Sequence, residues 1–480
     1  MGAEFEIKGQ WWTPSSPEYR VHGTLTFHPT KGSRLEVFGN VSPSKSPHPF
    51  NFKFENHVLI LGLSSDSKLV TLYKCWQQNV GGGTLVSNQE SGIPPITYIV
   101  HYVLVGIHAL AEKDLAFDTI VVEPFNLGEW VGISGFQPYE SFEEQRKNFE
   151  EKRIKVNYKV PDSILFPIDD TTEGSIEFSA NHPGGSIYQK SIQINQTVRF
   201  QAKSSEPKPM KDLLDYYFVF QDFLILALYR NTYPMSIVIH GSNFQDDLNG
   251  HYIRKPVDVF FSIWSYQENE EPNLAFDMIF SYPIIKSDFK NLIKKWYSKY
   301  ERLAPSINLL MEQFHQRNKF NSNVFLNIAQ AIETFHARTH DHSRIPKKDY
   351  EVMKKDMLNS IDEKYHDWLN NQFSFGNHLT LHERLVEMID KFSNKILDKV
   401  LGDKDRFVKQ VKHSRNYYTH YSNGKKKYVL EGSELFHLSE RMKFLLISAF
   451  LMEIGFSKDL VTKCLDNSRG LFNHLIRKTP

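Results

Sequence analysis

The chain has 480 residues, 40% of them hydrophobic and 14% aromatic, which excludes a disordered chain and provides for two to four domains at about 100–200 residues each. Its 57 Lys and Arg against 56 Asp and Glu give a net charge of +1, so any affinity for nucleic acid must come from a local basic patch. Two cysteines, Cys75 and Cys464, exclude a disulfide scaffold and a cysteine-ligated zinc site.

The N-terminus, MGAEFEIKGQWW, is charged and lacks the apolar core of a signal peptide, and Gly2 lacks the serine or threonine of a myristoylation site. Apolar runs such as FLLISAFLMEIGF fall short of the ~20 residues of a membrane span. The expectation is a soluble, cytoplasmic protein without a membrane partner.

Up to residue 290 the chain reads mainly as short strands. RVHGTLTFH, RLEVFG, VTLYKCW, TYIVHYVLVGIH and AFDTIVVE are rich in β-branched and aromatic residues and are separated by Gly, Pro, Ser and Asn clusters. GSIEFSA, SIYQKSIQINQTVRFQA, MSIVIHG and PVDVFFSIWSY continue the pattern, with Ile192, Ile194, Val198 and Phe200 at one parity. This predicts antiparallel sheets, as a sandwich or two lobes. Met210 to Arg230 reads as a helix, apolar nearly all round and therefore buried against a sheet. The loop NVGGGTLVS lacks the lysine of a phosphate-binding loop. Trp11, Trp12, Trp76 and Trp130 are either core or a ligand platform.

From residue 291 to 480 the chain reads as helices. DFKNLIKKWYSKYERL is a charged helix that Pro305 is expected to end. SNVFLNIAQAIETFHAR follows with Ser322 as its expected N-cap. KDYEVMKKDMLNSIDEKYHDWLNNQ, TLHERLVEMIDKFSNKILDKV, DKDRFVKQVKHSRNYYTHY and GSELFHLSERMKFLLISAFLMEIGF complete the region. The fold class expected is α+β and multidomain: a β-rich half over residues 1–290, then an all-α bundle over residues 291–480.

One segment, VKHSRNYYTHYSNGKKKYV, holds an unusual density of groups that donate or move protons. Arg415 and His420 fit R-x-x-x-x-H, a spacing expected about once by chance in such a chain. Context makes it informative. It lies at the end of a predicted helix, before an Asn423-Gly424 stop signal. Asn416 and His420, four apart, share a face, and a helix C-terminus favours a charged histidine. These groups suit metal-independent RNA cleavage. The 2′-hydroxyl supplies the nucleophile, a histidine moves protons, and the guanidinium fork grips two phosphate oxygens. Asn416 would orient the histidine or the phosphate. Tyr417, Tyr418 and Tyr421 would stack on bases, and Lys425, Lys426 and Lys427 would contact phosphates. One Arg and one His per chain make a sparse site, which predicts a homodimer. From the residues alone the alternative stays open that this is a C-cap whose amphipathic side chains cover a core edge.

SRNYYTHYS resembles the signature of HEPN domains, R-x(4–6)-H with a polar residue after the Arg. Together with NIAQAIETFHAR, LTLHERLVEMIDKF and LSERMKFLLISAFLMEIGF it is similar to the HEPN domain of the ApeA family of bacterial anti-phage proteins. VLVGIHAL and FDTIVVEPFNLGEWVGISGF are similar to that family's N-terminal domain, with Trp130 and Gly135 as the clearest marks. The resemblance implies a four- or five-helix bundle that dimerises and an RNase that arrests phage-infected cells. In it Arg415 and His420 are the catalytic pair, Asn416 the supporting polar residue, and Glu333 and His336 polar groups of an earlier helix facing the site. It also implies RNA, such as a tRNA anticodon loop, as substrate, and the N-terminal region as sensor of a phage-derived trigger. Some HEPN domains instead bind nucleotides or partner proteins without cutting RNA. No cofactor is expected. His336 and His340, four apart, lack an apparent third ligand, so no metal is expected either.

Overall fold

The structure, a computed structural model, describes residues 4–43, 54–78, 95–137, 141–182, 184, 190–248, 250–268, 270–315, 320–341, 343–421 and 428–468. The first strands are β1 (Phe5–Trp12), β2 (Val21–His28), β3 (Gly32–Val37), β4 (His57–Ser64), β5 (Leu69–Gln77) and β6 (Ile96–Val105). In β2, Val21, Gly23, Leu25 and Phe27 face inward while His22 and Thr26 are exposed, the period-2 signature of a half-buried strand. The six pair antiparallel in the order β6-β3-β2-β1-β4-β5. β5 then pairs back onto β6, from Val70 opposite Val105 to Gln77 opposite Tyr98, and closes a barrel. Trp11, Leu25, Leu35, Ile60, Leu72 and Val100 belong to its core. The Trp11 indole lies across from Gly62, where a Cβ would come within 2.2 Å of the ring, so only glycine fits.

The next strands are β7 (Ala116–Pro124), β8 (Phe136–Gln137), β9 (Asn157–Tyr158), β10 (Ile164–Pro167), β11 (Thr172–Ala180) and β12 (Gln196–Pro209). They are followed by β13 (Pro234–His240), β14 (Gln245–Leu248), β15 (His251–Arg254) and β16 (Val257–Phe260). β16 pairs with the far end of β6 and carries the sheet on as β16-β13-β7-β12-β11-β10, twelve strands in all. β8 with β9 and β14 with β15 form separate two-stranded ribbons. The β half is thus a barrel continued by an open antiparallel sheet, not a sandwich. The expected alternation holds at Val198 and Phe200. Ile192 lies before β12 begins and is 71% exposed, so parity there was coincidental.

Two short helices, α1 (Leu127–Val131) and α2 (Phe142–Glu150), precede α3 (Met210–Leu228). α3 is buried as expected, Phe220 stacking on Phe200 of β12 with centroids 4.7 Å apart. Of the four tryptophans singled out, Trp11, Trp12 and Trp130 are core and Trp76 is 43% exposed.

The chain forms two units. One comprises Met1–Ile225, Arg230–Ala275 and Ser281–Lys294; the other comprises Leu226–Tyr229, Phe276–Phe280 and Lys295–Pro480. The division therefore alternates along the sequence near residues 226–294 and is not a single cut after residue 290.

The remaining helices are α4 (Tyr282–Ile285), α5 (Phe289–His315), α6 (Ser322–Thr339), α7 (Lys347–Asn359) and α8 (His366–Gly376). After them come α9 (Leu381–Phe392), α10 (Lys395–Leu401), α11 (Lys404–His420), α12 (Gly432–Glu453) and α13 (Lys458–Asn467). Pro305 does not end α5, which runs through it. Trp296, Leu303, Ile307 and Leu310 continue one buried stripe across the proline, and that burial outweighs the ~3 kcal/mol an interior proline costs. Ser322 is not the N-cap of α6. Asn321 is, accepting from the backbone N–H groups of Asn323 and Val324. Two segments read as single helices are each divided, by Asp362 capping a 3₁₀ turn before α8 and by Asn394 capping α10.

α9 opens with a reciprocal cap, Thr380 receiving the Glu383 N–H while the Glu383 carboxylate receives the Thr380 N–H. Thr380→Ala is expected to cost about 1 kcal/mol in thermal or urea unfolding. The Thr380 hydrogen bonds, then Arg344, hold the Glu383 carboxyl down at about 2. Its contribution is therefore present above the ordinary glutamate range and fades as pH falls through about 2; it is small because the pair is solvent-screened.

Candidate active site

α6, α9, α11 and α12 pack on one another as a four-helix core. Phe335 of α6 meets Phe392 of α9 at 5.8 Å and Phe450 of α12 at 5.2 Å, ring to ring. α11 is capped by Asp403 and buries Phe407, Val408, Val411 and Ser414 at helical spacing. Arg415 stands at the edge of that stripe, half-buried, while Asn416 and His420 are exposed. Their four-residue spacing puts the last two on one side of the helix. His420 is the final helical residue. Tyr421 takes a left-handed conformation, φ 47°, and returns its N–H to the Tyr417 carbonyl. The stop thus comes before Asn423-Gly424, which lies with Lys425, Lys426 and Lys427 outside the described residues.

The Arg415 guanidinium is tethered across helices. Its Nη2 lies 3.3 Å from Oε1 of Glu333 on α6. Glu333 is held in turn by α9, where Arg384 donates from Nη1 to the Glu333 carbonyl at 3.3 Å. α11 and α6 therefore meet through the Arg415–Glu333 pair, and α9 bonds the backbone of Glu333.

The three tyrosines also converge. Tyr417 packs edge-on against Tyr418 at 5.1 Å and Tyr421 at 5.7 Å. Tyr418 donates its hydroxyl to the Leu430 carbonyl at 3.0 Å and lies 6.2 Å from Phe325, centroid to centroid. Burial, then Glu431, raises its phenol above the usual range. Tyr418 is thus an anchor, whereas Tyr421 is 66% exposed.

His336 departs from the expected arrangement. It is fully buried, and its partner is Glu387 of α9, Nε2 to Oε2 at 2.8 Å, not Glu333. Although three apart on α6, the two residues point to different helices, Glu333 to α11 and His336 to α9. The His336 ring stacks on His340 at 4.8 Å with 10° between planes. His340 bonds the Lys391 ammonium through Nε2 at 2.8 Å and the Thr339 hydroxyl through Nδ1 at 2.7 Å, and burial, then Lys391, lowers its pKa. Among the described residues no group of three or more His, Cys, Asp or Glu is arranged to hold a metal. Arg384 and Glu387 escaped the sequence reading. Their spacing of three in HERLVE puts them on one face of α9, but nothing local says which neighbour that face meets.

Residues 6–296 match the family model ApeA N-terminal domain 1, and residues 326–460 match Apea-like HEPN. No curated protein and no solved structure matches the chain. The two marks of the N-terminal resemblance have physical roles. Trp130 is caged edge-on by Phe220 and Phe223, and a Cβ on Gly135 would lie 2.4 Å from the Lys159 carbonyl oxygen. Among the described residues no helix is long and apolar enough to cross a membrane. With both of its segments matched in order, the chain belongs to the ApeA family of anti-phage HEPN nucleases.

Proposed function

We propose that the chain is a metal-independent endoribonuclease acting in anti-phage defence. The observation that carries this reading is the R-x-x-x-x-H pair at the end of α11 in an Apea-like HEPN domain, with Arg415 held by Glu333. The 2′-hydroxyl attacks the adjacent phosphorus, the P–O2′ bond forms and the P–O5′ bond breaks. His420 takes the proton from the hydroxyl or delivers one to the departing 5′-oxygen. Arg415 stabilises the extra charge on the phosphorane, and Asn416 orients the pair. A second copy supplies the other histidine and arginine, so the working form is a homodimer with a composite cleft. Tyr421 and Lys425 to Lys427 engage RNA beside it, and a structured RNA with an unstacked loop, such as a tRNA, is the substrate. The β-rich region restrains the nuclease in the cytoplasm until a phage-derived trigger releases it.

The test is incubation of the purified protein with RNA in EDTA, with the trigger supplied by a phage lysate. Cleavage that leaves a 2′,3′-cyclic phosphate and a 5′-hydroxyl supports the proposal; cleavage abolished by EDTA, or leaving a 5′-phosphate, refutes it. A second reading, a nucleotide- or partner-binding HEPN protein, draws support from the Glu333 carboxylate already engaging Arg415. Glu333→Gln separates the two. In the enzyme it lets the guanidinium drift and lowers the cleavage rate by up to about 10²-fold at unchanged melting temperature. In a binding protein it strengthens phosphate affinity by removing the competing carboxylate.

A further inference from the structure

α11 carries a second row besides its buried stripe. Arg406, Lys409, His413, Asn416 and His420 follow one another at spacings of three, four, three and four. That spacing keeps them on one face over about 21 Å of helix, at about 1.5 Å per residue. The opposite face is the buried stripe of Phe407, Val411 and Ser414. Arg406, Lys409, Asn416 and His420 are exposed and His413 is half-buried. Tyr428 lies on His413, the rings 5.4 Å apart and 26° from parallel. From Arg406 to His420 the helix holds two arginines, two lysines and no Asp or Glu. In a chain of net charge +1 this is the local concentration of positive charge that a polyanion needs.

The far end of the row is reinforced from α12. Arg441 sets its guanidinium carbon 5.8 Å from the centre of the Phe407 ring, one residue on from Arg406. Arg302, Arg344 and Arg415 each reach a carboxylate. Among the described residues neither Arg406 nor Arg441 does. Asp403 is taken up in capping the Arg406 N–H, and Glu440, next to Arg441, is held by Tyr229 and Lys443. Asp405 stands about 100° round the helix from Arg406. Burial, then the Arg406 charge, holds the Arg441 guanidinium below its ordinary pKa. Two like charges kept together without a counter-ion are destabilising, and a bound anion relieves them.

The row itself selects among anions. A membrane surface needs apolar side chains to insert, and between Val386 and Tyr421 no large apolar side chain of the described residues is exposed. Steps of about 5 Å along the helix suit a strand with one charge per nucleotide, and an aromatic pair midway suits a base. We propose that the row binds single-stranded RNA, its phosphates held by Lys409 and by the Arg406–Arg441 pair, with one base against the His413–Tyr428 stack. The binding rests on α11 and α12 alone. That the strand leads to a cleaved phosphate at His420 rests on the ribonuclease reading, and it gives that site a footprint of about four nucleotides to one side of the cut.

Fluorescence anisotropy tests the binding, with the full chain carrying His420→Ala and a labelled single-stranded RNA of about 12 nucleotides. Adding Arg406→Gln and Arg441→Gln is expected to weaken binding about 10-fold or more. It should also flatten the slope of log affinity against log salt by about 1.4, two phosphates at about 0.7 each. Lys409→Gln should flatten it by about 0.7. Arg338→Gln, at an exposed arginine of α6 outside the row, should change neither quantity. Circular dichroism should be unchanged throughout, since Arg406 is exposed and Arg441 makes no ion pair among the described residues. Wild-type affinity and salt slope in the arginine double variant overturn the proposal. So do an equal loss in Arg338→Gln, an absence of RNA binding, or phosphatidylserine vesicles that compete for the row as well as RNA does. Cleavage with His420 intact separates the two ideas. The double variant is expected to show a raised KM at unchanged kcat. Cleavage at the wild-type KM sinks the track and leaves the ribonuclease standing, whereas RNA that is bound through the row but never cut leaves the track and sinks the ribonuclease.

Discussion

His420→Ala is expected to lower RNA cleavage by about 10²–10⁴-fold, the contribution of a positioned acid or base, and Arg415→Ala by about 10²–10³-fold, that of one charge-stabilising group. Neither change should disturb the fold. His420 is exposed at the helix end, and the half-exposed Arg415–Glu333 pair is worth at most about 1 kcal/mol. Arg415→Lys sharpens the test. It keeps the charge but loses the planar fork, so if bidentate phosphate contact matters its rate falls well below wild type. Asn416→Ala should fall between wild type and the His420 variant. A His420→Ala protein that cleaves at the wild-type rate, or variants whose melting temperature drops along with activity, would remove the basis for placing chemistry at the end of α11.

The largest stability effect is expected at Trp11. Truncation to alanine empties the middle of the barrel and should cost about 3–5 kcal/mol, read as an earlier near-ultraviolet circular dichroism transition in urea. Gly62→Ala attacks the same contact from the other side. A methyl 2.2 Å from the indole forces the ring off its site, with an expected cost of about 1–3 kcal/mol. The two are coupled. In Trp11→Ala/Gly62→Ala the methyl finds the space the indole left, so the double variant should be more stable than the sum of the single losses predicts. Strict additivity would mean that the glycine is not reserved for the indole.

Much of this was legible along the chain. The change from period-2 to period-3.6 patterning near residue 290 marks the passage from β-rich to helical structure. The apolar spacing of Phe407, Val408 and Val411 puts Arg415 on the rim of α11 and Asn416 and His420 on its open side. These are local properties, set by which backbone geometry brings apolar side chains to one face. Other features depended on partners far away in sequence. Asn321 and Ser322 are both good caps, and geometry chose the first. Pro305 looked like a stop because propensity cannot see the buried stripe that carries α5 past it.

By itself, then, the sequence determined the α+β character, the antiparallel strands, the helix bearing the R-x-x-x-x-H pair and the family to which the chain belongs. Only tertiary structure decided that β5 returns to β6 to close a barrel, that Glu333 reaches Arg415, and that His336 turns to Glu387 instead. The reason is physical. Periodicity reports which side of an element is buried, whereas the choice of neighbour on that side rests on loop closure, packing volume and charge pairing summed over residues tens of positions apart.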